Sequence, residues 1–185
     1  MTVERQLRLN FVVSEERVAR LWAQSAFEKL ATSKKRSKKR KDQALAQAEI
    51  EEGKALQYRI IAALEGMDGE VMYKSRKPFL KVLNQALSAA GLKLAAPVKK
   101  AVLAALSEQD PSAKICQDSK GIPEPDSTLR DTEIVPLPED ISLPLPLGYG
   151  KKAWNAELLE LVAEHCEAYL VAEVLPHVPD AWIDH

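Results

Sequence analysis

His165 beside Cys166 is the pair in this 185-residue chain that comes nearest to a nucleophile with its base, and its spacing argues against that use. Both fall in a helical pattern, where consecutive residues project about 100° apart, so thiol and imidazole belong to different faces. A core cysteine next to an exposed histidine is the expectation. His177 sits in a turn between Pro176 and Val178, and His185 is the last residue. Cys116 and Cys166 share no Cys-x-x-Cys spacing, which leaves neither a zinc site nor a disulfide framework in view. Glu157, Glu160, Glu164 and Glu167 recur at helical intervals, the pattern of one wet face rather than of an acid and a base. The only Gly-x-Gly, Gly148-Tyr149-Gly150, lies in a proline-rich stretch and lacks the third glycine of a dinucleotide-type turn. No catalytic, cofactor-binding or metal-binding residue is therefore assigned.

Binding chemistry is better represented. Lys34, Lys35, Arg36, Lys38, Lys39, Arg40 and Lys41 place seven positive charges in eight residues. Such a run has no apolar residue to fold around and repels itself, which predicts a solvated, mobile loop. The functional alternative is a phosphate-binding arm with salt-sensitive, sequence-independent affinity for nucleic acid, although no aromatic residue is interleaved to stack on bases. The net charge of −1 conceals this run, because residues 131–185 carry eleven acids against Lys151 and Lys152. The second candidate is the terminal stretch. Leu158, Leu159, Val162, Cys166, Tyr169, Leu170 and Val174 form an apolar stripe on a helix expected over 155–175, capped by Asn155 and ended by Pro176. Pro179 then keeps the chain extended toward Trp182 and Ile183, apolar side chains that need a surface to pack on. A stripe this broad is covered either by the preceding helices or by a helix of another chain, a second copy included. On the intermolecular alternative, Leu158, Val162, Tyr169, Leu170, Val174, Trp182 and Ile183 are the contact residues.

The elements that must position these segments read as mainly α. A 46% hydrophobic content with only 5% aromatic residues gives a core of Leu, Ala and Val, which suits helix packing. Leu7, Leu9, Phe11 and Val13 alternate as a short strand, whose partner is either Ile134-Val135 or a segment outside the chain. Ser14 then caps a helix carrying Val18, Trp22, Ala26 and Leu30 four apart, with Trp22 in the core. A second helix runs over 42–65 with Gly53 as a weak point, and Gly66 and Asp68-Gly69 turn the chain. Ser75 caps a third, bearing Phe79, Leu83, Ala86, Leu87 and Ala90, which Gly91 ends; Pro97 opens a fourth, with Val98, Val102, Ala105 and Leu106. Seven of the eleven prolines fall in 111–146, where helical periodicity stops and a small hairpin is expected around 118–121. The expected architecture is a helical bundle or array with a short N-terminal strand over 1–108, including the basic loop 34–41. An extended proline-rich linker over 109–154 follows, then the long C-terminal helix and Pro-Asp-Ala-Trp tail over 155–185. No apolar run approaches the roughly 20 residues that cross a bilayer, and residues 1–6 lack an export-signal pattern, so a cytoplasmic location and no membrane partner are expected.

The run Glu173-Val-Leu-Pro-His-Val-Pro-Asp-Ala-Trp-Ile-Asp184 resembles one in the C-terminal part of the modification (methyltransferase) subunit of bacterial type I restriction-modification systems. Three further stretches are similar to that family in the same order. They are Arg8-Leu-Asn-Phe11 leading into Glu16-Arg-Val-Ala-Arg-Leu21, then Ala90-Gly-Leu-Lys-Leu94, then Ala105-Leu-Ser-Glu-Gln-Asp110 through Leu129-Arg-Asp-Thr-Glu133. The resemblance spans most of the chain. It implies part of an adenine-specific, S-adenosylmethionine-dependent DNA methyltransferase subunit that meets the specificity subunit and, in the assembled complex, the restriction subunit and DNA. Such catalysis needs a Gly-rich cofactor loop and an Asn-Pro-Pro-Phe type tetrapeptide around the flipped adenine, and no Pro-Pro pair occurs here. The expectation is a non-catalytic region downstream of the catalytic domain, with S-adenosylmethionine held elsewhere in the full-length family member and no cofactor in this chain. A free-standing helical nucleic-acid binder using loop 34–41 is the alternative.

Overall fold

The structure, a computed structural model, describes residues 1–33, 40–136 and 156–184. The apolar alternation near the N-terminus yields two strands, β1 (Thr2–Arg5) and β2 (Leu9–Phe11), where one was expected over Leu7–Val13. Between them the chain divides: Met1–Leu7 groups with Gln117–His185 in one compact unit, and Arg8–Cys116 forms the other. The units differ from the boundaries drawn from composition, because strand pairing joins residues that are distant in sequence and composition carries no trace of it.

In the 8–116 unit, β2 pairs antiparallel with β3 (Ser107–Gln109), and Phe11 also bridges to Tyr73. Neither partner was foreseen for this strand. Helix α1 (Glu15–Ala19) starts where Ser14 Oγ accepts the Arg17 N–H at 3.3 Å, with Glu15 and Glu16 at the positive end of its dipole. The helix does not continue to Leu30. It tightens into a 3-10 turn (Arg20–Ala23), Gln24 turns extended at φ −82° and ψ 116°, and α2 (Ser25–Glu28) runs into a second 3-10 turn (Lys29–Ala31). This break resets the helical phase, so Leu21 and Phe27 are fully buried while Trp22, expected in the core, is 46% exposed. Trp22 stacks edge-on against Phe27 at 5.3 Å and Tyr58 at 5.8 Å.

Helix α3 (Arg40–Glu65) is the longest element, and it opens on Arg40 and Lys41, which the charge pattern had placed in the basic loop. The other five cations of that run, Lys34 to Lys39, lie outside the described residues. Helix α4 (Arg76–Ala89) follows, with Ser75 at its N-cap position but making no side-chain cap bond, and Gly91 ends it at φ 65°. Helix α5 (Ala96–Leu106) carries Pro97 in its first turn. Phe11, Leu21, Phe27, Ile60, Phe79 and Val102 are among the side chains that fill the core of this unit.

The other unit is built on β1, the middle strand of a sheet ordered β4–β1–β5, with β4 (Asp131–Thr132) and β5 (Ala181–Ile183) both antiparallel to it. The described part of the expected linker is folded rather than extended. Asp118 Oδ1 accepts from the N–H groups of Lys120 and Ile122, Gly121 takes φ 85°, and Gln117 bridges to Pro123, which forms the small hairpin anticipated there. Residues 137–155, with Leu143–Leu147 and Gly148-Tyr149-Gly150, are outside the described set. Helix α6 (Ala156–Tyr169) passes into a π-helical turn (Leu170–Val174) in which the Leu175 N–H reaches the Leu170 carbonyl at 2.9 Å, and the helix stops before Pro176. Taken together the chain is mixed α/β with helices predominating: about 52% is helical, with six α-helices and small sheets among the described residues. No helix among them is long and apolar enough to cross a membrane.

Candidate assembly site and its polar networks

Along β1 the pleat separates Val3 from Glu4. Val3 packs with Leu170 and Ala181, and Val174, Leu175, Val178 and Ile183 close around them. Glu4 is 7% exposed, and a carboxylate so buried needs a partner. Arg130 supplies it, its Nε lying 3.3 Å from Glu4 Oε1 while its guanidinium also meets Asp184. One residue along, Arg5 pairs with Asp180 at 3.1 Å, and the Arg5 carbonyl accepts the Asp126 N–H at 2.8 Å. Partly exposed pairs of this kind contribute about 0–1 kcal/mol each. Their larger effect is on register, since both acids of the Asp180–Asp184 tail are tied to fixed positions on either side of β5.

The contact residues proposed from sequence therefore have unequal surroundings. Leu170 is buried, and Val174 and Ile183, partly buried, pack on the same small core. Trp182 stands opposite Glu4 in the sheet and is half-buried, as are Val162 and Tyr169 on α6. The side chain of Leu158 lies outside the described residues. Val171, which the stripe omitted, is 63% exposed; it falls where the π-helical turn shifts the facing of the helix, a shift with no marker in the sequence. His165 places Nε2 2.8 Å from the Pro136 carbonyl, and Cys166 next to it is half-buried. Among the described residues no group of three or more His, Cys, Asp or Glu side chains is arranged to hold a metal ion.

A second network organises the 8–116 unit, and the spacing of residues in the sequence does not reveal it. Arg17, one residue into the first turn of α1 beyond Glu16, is 7% exposed and donates to Asn10 Oδ1 at 2.8 Å, to the Leu106 carbonyl at 3.0 Å and to Glu108. Asn10 in turn donates to Asp110 at 3.3 Å, and Arg20 spans Glu16 and Glu108, 2.7 Å from each. The signal available in sequence was Asn10 itself, a polar side chain among Leu9, Phe11 and Val13 that is buried in the fold. The hydrogen bond from Arg20, with the charge of Arg17 behind it, holds the Glu108 carboxyl below its ordinary 4.5. Bonds from the Ser112 side chain and backbone hold Asp110 below 3.8. Arg20 is raised in turn by its bonds to Glu16 and Glu108. A carboxyl depressed by folding contributes stability above its unfolded value and loses it as pH falls through the folded value. The unit is thus expected to weaken progressively below about pH 4.5, and Glu108→Gln to flatten that acid slope while leaving stability above pH 6 pH-independent. Urea midpoints measured from pH 7 down to 2.5 test this, and an unchanged slope in the variant would show that Glu108 is not what the acid titrates.

Both networks consume their charged groups within the chain, so what the arrangement can do chemically is hold surfaces in place. Compared with known proteins, the chain matches no family model, no curated protein and no solved structure.

Proposed function

We propose that this chain is a non-catalytic assembly region of a type I restriction-modification methyltransferase subunit, docking on the specificity subunit through α6 and the tail behind it. One observation supports the reading: the polar residues of the family-like stretches meet one another. Asn10, Arg17 and Arg20 come from the first of those stretches, Glu108 and Asp110 from the third, and together they form one network. Arg130, at the end of the third stretch, and Asp184, in the terminal run, close a second. Residues spent on fixing segments against one another suit a scaffold. The helices of 8–116 are read as an array of long and short helices, with the S-adenosylmethionine chemistry in the preceding part of the full-length protein.

The test is co-expression with a specificity subunit encoded at the same locus. A tagged chain is expected to co-purify with it, and the paired substitution Val162→Glu, Tyr169→Glu to weaken the complex at least about 10-fold, roughly the effect of 1.4 kcal/mol at an interface. Absence of any complex overturns the reading, and so does binding of S-adenosylmethionine by this chain alone in equilibrium dialysis. Charge separation supports the other reading, a nucleic-acid binder using the 34–41 run: the 8–116 unit holds 21 Lys and Arg against 12 Asp and Glu, net +9.

A further inference from the structure

Asp68, Asp110, Asp118 and Asp126 fold back on the chain in the same way, each accepting at Oδ1 the backbone N–H two residues on. Asp68 takes it from Glu70 at 3.0 Å, Asp110 from Ser112 at 2.8 Å, Asp118 from Lys120 at 2.8 Å and Asp126 from Thr128 at 2.9 Å. The bond lays the carboxyl alongside the peptide that follows it, whose nitrogen can close a five-membered ring on Cγ. The residue owning that nitrogen decides whether it reacts. Pro111 follows Asp110 and has no N–H to lose. Ser119 and Ser127 carry a Cβ beside the attacking nitrogen, and Asp126 is only 3% exposed. Gly69 has no such crowding, and Asp68, Gly69 and Glu70 are all exposed in the turn between α3 and α4. The Gly69 N–H makes no hydrogen bond among the described residues that would have to break. We propose that Asp68-Gly69 is a modification site of the folded chain, which closes spontaneously to a succinimide and reopens to isoaspartate. The proposal does not rest on the assembly reading above.

The reaction needs no reagent but water. The Gly69 nitrogen bonds to Cγ of the protonated Asp68 carboxyl, and the hydroxyl with the amide proton leaves as water. Water then opens the ring at either carbonyl. Attack at Cγ breaks the new bond and restores Asp68. Attack at the main-chain carbonyl breaks the original peptide bond instead, so the chain now runs through Cβ and Cγ and is longer by one methylene. The surroundings turn that methylene into a change in stability. A Cβ at Gly69 would lie 2.8 Å from the Val13 carbonyl oxygen, so the turn rests closely on the segment after β2. It is also fastened on both sides. The Met67 N–H donates to the Leu64 carbonyl at 2.9 Å, and Tyr73 exchanges both of its backbone bonds with Phe11, each 2.9 Å. A longer backbone between these anchors loosens one of them.

The experiment incubates the full chain, folded and at neutral pH, in water enriched in heavy oxygen, then digests it with trypsin in ordinary water. Asp68, Asp118 and Asp126 fall in separate tryptic peptides, 60–74, 115–120 and 121–130, each with one aspartate. Peptide 60–74 is expected to gain one heavy oxygen and to split into two peaks of equal mass, at least about 10-fold faster than the other two peptides. Asp68→Glu keeps the charge but would have to close a six-membered ring, and it should abolish both signals. Asp68→Asn loses ammonia in place of water and should reach the same pair of products faster. The isoaspartyl chain, separated by ion exchange, should melt about 5 °C below the parent. Uptake of label by peptide 60–74 in urea but not in the native chain would mean that the fold protects the turn, and the proposal fails. Equal rates in the three peptides, or label persisting in Asp68→Glu, overturn it as well. An isoaspartyl chain that melts with the parent removes the link to stability.

Discussion

Gly53→Ala is expected to lower the stability of the 8–116 unit by about 3 kcal/mol, with a fall in melting temperature of roughly 15 °C. Propensity alone predicts the opposite sign, since alanine is worth about 1 kcal/mol more than glycine inside a helix. Packing reverses it. A Cβ at Gly53 would lie 1.8 Å from the Leu30 carbonyl oxygen, 2.6 Å from its carbonyl carbon and 3.0 Å from Ala31 Cα, all backbone atoms with no rotamer to change. The 3-10 turn that carries them cannot simply withdraw, for Gln57, 4% exposed on the same helix, donates at 2.7 Å to the Phe27 carbonyl just before that turn. Gly66→Ala is the control: its Cβ would meet only the Ala62 oxygen at 3.5 Å and the Ala63 oxygen at 3.8 Å, ordinary separations, and a change within about 0.5 kcal/mol is expected. Thermal melts of both variants decide the matter, and a Gly53→Ala protein as stable as the parent would mean that α3 does not cross this turn so closely.

Gly53 also shows where sequence reasoning stops. Read along the chain it is a defect in a helix; read across the fold it is the place where a helix rests on a neighbouring backbone, and the neighbour is more than twenty residues away in sequence. Features with local causes were legible. Ser14 as a cap, Gly91 as a terminator, Pro97 in a first turn and the stop before Pro176 all follow from the chemistry of a few adjacent residues. The break at Gln24 carries no glycine or proline to announce it, and one missed break was enough to put Trp22 on the wrong side of the core. Pairing of β1 with β4 and β5 links residues 2–5 to residues 131–132 and 181–183, and strands of two to four residues have too short a pattern to name a partner. For the same reason the terminal stretch was legible as an apolar surface but not in its allocation: Leu170 belongs to the small core beside the sheet, with Val174 and Ile183 partly buried against it. The acidic and basic pairs near residue 17 look in sequence like a solvated helix face, and only the burial of Asn10 and Arg17 separates them from one.

Arg17→Ala follows from that difference and is expected to cost about 3 kcal/mol, against 0–1 kcal/mol for an exposed pair. The guanidinium satisfies Asn10 Oδ1 and the Leu106 carbonyl in addition to Glu108. Deleting it leaves Asn10 Oδ1 without this donor in the interior, at about 1–3 kcal/mol where water does not reach it, while the Leu106 carbonyl loses one of two bonds and keeps the Val12 N–H at 3.1 Å. Glu108 is 44% exposed and returns to solvent, which keeps the cost at the lower end of that seen when a buried pair is broken. Arg17→Lys should rescue little, because one ammonium on a flexible stem cannot present the planar fork that reaches three acceptors on β2, α5 and β3 at once. Arg17→Met keeps most of the packed stem and none of the donors, so its stability relative to Arg17→Ala isolates the hydrogen bonds from the packing. Denaturant unfolding of the three variants orders them. If Arg17→Ala costs no more than a surface pair, the network is decoration on the helix; a cost near 3 kcal/mol with Lys and Met both failing to restore it makes the three bonds the clamp that holds β2 and β3 to α1.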